Sequence, residues 1–112
     1  MAAMTPTAPT RAGTVVTGSP VAASDTIAVS VLGSLGAILE ILNGNASPDA
    51  MTISDASTTP SGAAAAANAP SVTNATNKVF IVTPRMADPT TGLVTITHSV
   101  TATVTYKLYP LG

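Results

Sequence analysis

The 112-residue chain carries four lysines and arginines against five aspartates and glutamates, a formal net charge of −1 with only 8% charged residues. That balance excludes a basic field for nucleic acid, whose affinity rests on lysine and arginine set against phosphates, and a polybasic binder of membrane surfaces. With no cysteine, neither a disulfide framework nor a thiolate metal site can form.

A length of 112 residues suits one domain with a modest core. So thinly charged a surface repels its own copies weakly unless other protein covers it, a first pointer to an assembly subunit. Residues 1–24 read as an extended N-terminal arm. Pro6, Pro9 and Pro20, with Gly13 and Gly18, interrupt any helix or long strand. The arm has little to bury and is expected to order on a neighbouring subunit, with Arg11, Val15 and Val16 as its contact residues. Neither a basic start nor a secretory apolar run is present here, so no leader is expected.

Residues 25–112 read as a β-sandwich domain. The run 26–31 alternates, with Ile27, Val29 and Val31 on one face. Gly33-Ser34-Leu35-Gly36 follows as a turn, and 37–42 is apolar on both faces except at Glu40, as in a central strand. A helix over 31–42 is the rival reading, because Leu32, Leu35, Leu39 and Leu42 also fall at helical spacing. Its two glycines weaken it by about 1 kcal/mol each. The greasy stretch 27–42 is too broken by polar residues and glycine to span a bilayer.

Asn43-Gly44 is a strong turn signal. Met51 and Ile53 make a short strand, with Thr52 and Ser54 facing outward. Residues 56–77 read as a long surface loop, with a helical turn in the alanines 63–67 and a short strand beginning at Val72. The run 78–83 is apolar on both faces and predicts a second central strand, with Phe80 filling the core. The turn Asp88-Pro89-Thr90-Thr91-Gly92 then leads into two alternating runs, 93–100 and 101–108, which read as a β-hairpin with one apolar face. Short strands separated by turns and no long helix predict an all-β fold. It is an antiparallel β-sandwich, immunoglobulin-like or jelly-roll-like, of about six to eight short strands.

The candidate chemistry is sparse. His98, the one histidine, falls on the Val94/Ile96/Val100 face or at its rim, and reads as a hydrogen-bonded rim residue in preference to a catalytic base or metal ligand. Asp25, Asp49 and Asp88 sit where aspartate caps turns. Glu40 in a central strand needs a partner or an edge; Glu40 and Arg85 are candidates for an interface or an intramolecular ion pair, with Lys78 and Lys107 also in reach. Gly33-x-x-Gly36 lacks the lysine of a phosphate loop. No catalytic, cofactor-binding or metal-binding set emerges, and the expectation is a non-enzyme.

The segments LEILNGNASP (39–48) and DPTTGLVTIT (88–97), in this order and spacing, resemble a group of small β-sandwich proteins from the head and tail genes of tailed bacteriophages, especially those of actinobacteria. The resemblance covers about residues 37–109. It implies a virion structural protein, foremost a capsid decoration (cement) protein on the outer surface of the shell, assembled in the host cytoplasm. The implied partners are the major capsid protein and copies of the chain itself, with a trimer suggested by the three-fold positions of shells. A head–tail connector or tail accessory protein is the other place such domains occur. From a different class, Tyr106 and Tyr109 could serve a carbohydrate-binding, adhesin-like sandwich.

Overall fold

In the computed structural model, which describes residues 2–58, 60–63 and 68–111, the alternating runs become strands of two stacked sheets. Six strands have five residues or more: β3 (Ser24–Ala28), β4 (Ala37–Asn43), β5 (Asp49–Ile53), β7 (Thr76–Val82), β8 (Leu93–His98) and β9 (Val104–Pro110). Three are two-residue pairings: β1 (Ala2–Ala3), β2 (Ser19–Pro20) and β6 (Ser71–Val72). The first sheet runs β1-β3-β8-β5-β6 and the second β2-β9-β4-β7. Every pairing is antiparallel except β1 with β3. The expected all-β sandwich is therefore the fold.

Period two explains the core. Alternate residues of β4 (Leu39, Ile41), β9 (Val104, Leu108), β8 (Val94, Ile96) and β5 (Met51, Ile53) point inward and lose essentially all contact with solvent. Each such side chain contributes about 1.5–3 kcal/mol of burial. The turn at Asn43 is held from inside. Its side-chain amide donates to the carbonyls of Ser47 and Val72 (3.0 Å each), and its oxygen accepts the Asn45 N–H at 2.9 Å.

Three sequence expectations are corrected by the packing. The strand expected over 26–31 stops at Ala28, and Val29–Leu32 forms a single helical turn, α1. The Val29 N–H bonds to the Gly92 carbonyl at 2.8 Å, and the turn then drops Leu32 into the core, where it is fully buried. Neither the full strand nor the helix over 31–42 is adopted, because residues from Ala37 onward pair on both sides as β4.

The run 78–83 is an edge strand, not a central one. β7 pairs with β4 alone, so Val79 and Ile81 are 60% and 58% exposed and Phe80 is only partly buried against the core. Two-sided apolarity does not distinguish a covered strand from one that presents apolar residues to the outside.

The last two runs form no hairpin. β8 pairs with β3 and β5 in one sheet, and β9 pairs with β4 and β2 in the other. The intervening residues cross between sheets, with Thr103 at φ 57° in the bend. Their two greasy faces meet across the core instead of lying side by side.

The N-terminal segment lies on its own sandwich at both ends. Met4 is buried and its N–H bonds to Thr26 O, while Thr7 N–H bonds to Leu108 O and Val21 is buried beside β9. Between these anchors, residues 8–17 stay on the surface. Of the alanine run, residues 64–67 lie outside the described residues.

Gly36 closes the bend between α1 and β4 with φ +89°, and a Cβ built there would stand 2.3 Å from the Val82 carbonyl oxygen. Gly36→Ala is therefore expected to destabilise by about 2–4 kcal/mol, combining a left-handed alanine with a backbone clash. Gly13→Ala, at φ +94° with nothing within 4 Å, isolates the conformational part at about 1 kcal/mol. Urea midpoints of the two variants check the difference.

Candidate functional site

Three ionisable side chains meet in the interior at one end of the first sheet. Asp49 begins β5, His98 ends β8 and Asp25 lies in β3, all on the inner face and at most 7% exposed. His98 Nδ1 is 2.7 Å from Asp49 Oδ2, so its N–H donates there. Asp49 Oδ1 accepts the backbone N–H groups of Ser99 (3.0 Å) and Val100 (3.3 Å). On the far side of the ring, His98 Nε2 stands 3.9 Å from Asp25 Oδ2, beyond hydrogen-bond reach, and has no hydrogen-bond partner. Asp25 Oδ2 accepts the Ala22 N–H at 3.1 Å, and His98 N–H bonds to Ala23 O.

A carboxylate–imidazole pair is two of the three members of a nucleophilic triad, but here the ring is buried and no hydroxyl among the described residues occupies its free nitrogen. Among the described residues, no group of three or more His, Cys, Asp or Glu could hold a metal ion. The cluster joins distant segments of the chain. It ties the start of β5, the end of β8 and the segment before β3 into one knot of buried and part-buried hydrogen bonds. His98 is thus an interior residue and not a rim one. Asp49 does cap backbone N–H groups, but those of residues fifty positions away and not of its own turn.

The residues expected to meet partners lie elsewhere. Arg11 and Val15 are exposed on the 8–17 loop, Val15 at 95%, and Val16 is half-buried beside them. Glu40 is on the outer face of the second sheet between Lys107 of β9 and Val79 of β7, and it accepts a 2.8 Å hydrogen bond from the Asn77 side chain. Arg85 sits on the 3₁₀ turn Pro84–Met86, and no ion pair joins it to Glu40 among the described residues. Arg85 instead lines a shallow cleft of about 380 Å³ with Val29, Ala56 and Asp88.

The two tyrosines do not form a platform. Tyr106 points inward at 6% exposure and its hydroxyl accepts the Thr5 N–H at 2.8 Å, whereas Tyr109 lies on the outer face opposite Ile38. Three positions apart in a strand places them on opposite sides.

Sequence reading missed the outer apolar row of the second sheet. Tyr109, Ile38 and Ile81 are direct neighbours across β9, β4 and β7, flanked by Val79 and Leu42 on the same face. No protein-family model, curated protein or solved structure matches the chain.

Proposed function

We propose that the chain is a structural subunit of a tailed-phage virion, a decoration protein seated on the outer surface of the major capsid shell and bridging capsomers. The observation that carries this reading is a sandwich with no accessible reactive cluster among its described residues and an exposed apolar sheet face, on a chain of net charge −1. Such a surface suits being wedged among other proteins. The resemblance of segments 39–48 and 88–97 to phage head and tail sandwiches supports the same reading.

Attachment then comes from many small contacts repeated by the symmetry of the shell, which add through multivalency. The 8–17 loop supplies one of them. Arg11 contributes under about 1 kcal/mol as an exposed ion pair, so Val15 and Val16 carry more of that contact.

Purified protein added to particles lacking it, followed by cryo-electron microscopy, tests the proposal. The expected result is saturable density on the outer shell. Density confined to the neck or tail would reassign the chain to a connector or tail accessory role, and no density would end the reading. Val15→Asp, at a side chain that touches almost nothing in the protomer, is expected to leave the melting temperature unchanged and to reduce occupancy several-fold at subsaturating protein.

A further inference from the structure

Sheet edges are pairing sites that folded proteins normally blunt with short strands, proline or charge. Three of the four edges here are blunted. β1 and β6 are two residues long, and β2 is two residues long and ends in Pro20. β7 is seven residues long, has no proline, carries Lys78 as its one charged residue, and among the described residues is paired on one side only.

The direction of its free backbone groups follows from the ladder. The outer edge of β9 uses even residues: Val104 O and Leu108 O accept from Val21 and Thr7. Its odd residues therefore face β4, which meets them with Ile38, Glu40 and Leu42 and turns Ala37, Leu39, Ile41 and Asn43 to β7. Those four pair with Val82, Phe80, Lys78 and Thr76. The N–H and C=O groups of Asn77, Val79 and Ile81 are thus left facing outward, with no partner among the described residues.

We infer that β7 is a pairing edge for the β7 strand of a second copy, joined antiparallel about a two-fold axis through Val79. Val79 is the midpoint of Thr76–Val82, so this register overlaps the whole strand. Val79 meets its own counterpart, and Asn77 meets Ile81, each as an outward-facing hydrogen-bonding pair. Lys78 falls opposite Phe80, where ring and ammonium are compatible. A shift to an axis through Lys78 would instead set two like charges face to face. The axis stands perpendicular to the sheet, so the outer apolar rows of both copies merge into one surface. At net charge −1 the copies repel each other little.

A trimer would need β7 to meet a different edge, and the other edges are the blunted ones. A strand of this length offers about 23 Å of edge. That is a small interface, and the dimer is expected in the range of about 10–100 µM. The inference does not rest on a role in particles, because it is read from the protein alone in solution.

Sedimentation equilibrium from about 1 µM to about 1 mM should show the mass rising from 11.0 kDa toward twice that value. Val79→Pro removes an N–H that bonds to nothing among the described residues, and Ile81→Lys adds a charge to the edge. Both are expected to keep the far-ultraviolet circular dichroism of the parent and to stay monomeric throughout. The chain has no cysteine, so Val79→Cys places a unique thiol about 5.5 Å, Cα to Cα, from its symmetry mate. It should cross-link under mild oxidation at least tenfold faster than Ala102→Cys, a control on the exposed inter-sheet bend. A monomer at the highest concentration, a dimer that survives both edge variants, or equal cross-linking rates for the two cysteines would each overturn the inference.

Discussion

Ile96→Asp is expected to abolish folding at 25 °C. Ile96 lies in β8, the middle strand of the first sheet, is fully buried, and stands directly opposite Asp25 on one side and Ile53 on the other. The new carboxylate would be unpaired in an apolar layer and would lie within about 5 Å of a second buried acid on the neighbouring strand. Ile96 itself is fully buried, and solvating the new charge would require the sheet to open. The expected product is insoluble or shows the circular dichroism of an unfolded chain, whereas Ile96→Val loses about 0.5–1.5 kcal/mol and melts cooperatively. A soluble, cooperatively melting Ile96→Asp protein would show that the inner face has been assigned to the wrong parity.

The second large effect concerns the buried knot. Asp49→Ala removes the acceptor of three donors at once, His98 Nδ1, Ser99 N–H and Val100 N–H. His98 Nδ1 is left in a region without solvent and the two backbone N–H groups in a part-buried one, and a destabilisation of about 2–4 kcal/mol is expected. Against a total of about 5–15 kcal/mol for a domain, that is a large fraction. Urea unfolding should show a lower midpoint at an unchanged slope.

Asp49→Asn separates hydrogen bonding from simple packing. Its carbonyl keeps the two backbone donors, and its amide can donate to the ring nitrogen in the other tautomer, so a loss of about 1–2 kcal/mol is expected. Equal losses for alanine and asparagine would mean that the charge, not the hydrogen-bond pattern, holds the knot.

The knot was partly legible beforehand. In a strand, residues of equal parity share a face. Asp25 has the parity of Ile27, Asp49 that of Met51 and Ile53, and His98 that of Val94 and Ile96. Alternation alone therefore turned all three inward. Reading the two aspartates as local turn caps obscured this, because turn chemistry and strand parity compete at strand ends and only one can take the side chain. That the three converge could not be read. Their strands are distant in sequence and meet only because β5 and β3 flank β8.

The exposed row Tyr109–Ile38–Ile81 was hidden for the opposite reason. A run apolar on both faces was expected to be covered on both sides. Whether it sits inside or at an edge depends on how many neighbours the sheet supplies, which is a property of the whole sheet.

From the sequence alone came the all-β class, the turn at Asn43-Gly44, and the faces of β5, β8 and β9, because period-two alternation and turn propensity act over a few residues. Only the tertiary structure decided that β8 and β9 lie in different sheets, that β7 is an edge, and that Asp25, Asp49 and His98 share one buried pocket. Each of those depends on which strand lies beside which. Strands of equal alternation have no local feature that names their neighbour, and the choice is made by how the complete set of apolar faces closes over one core.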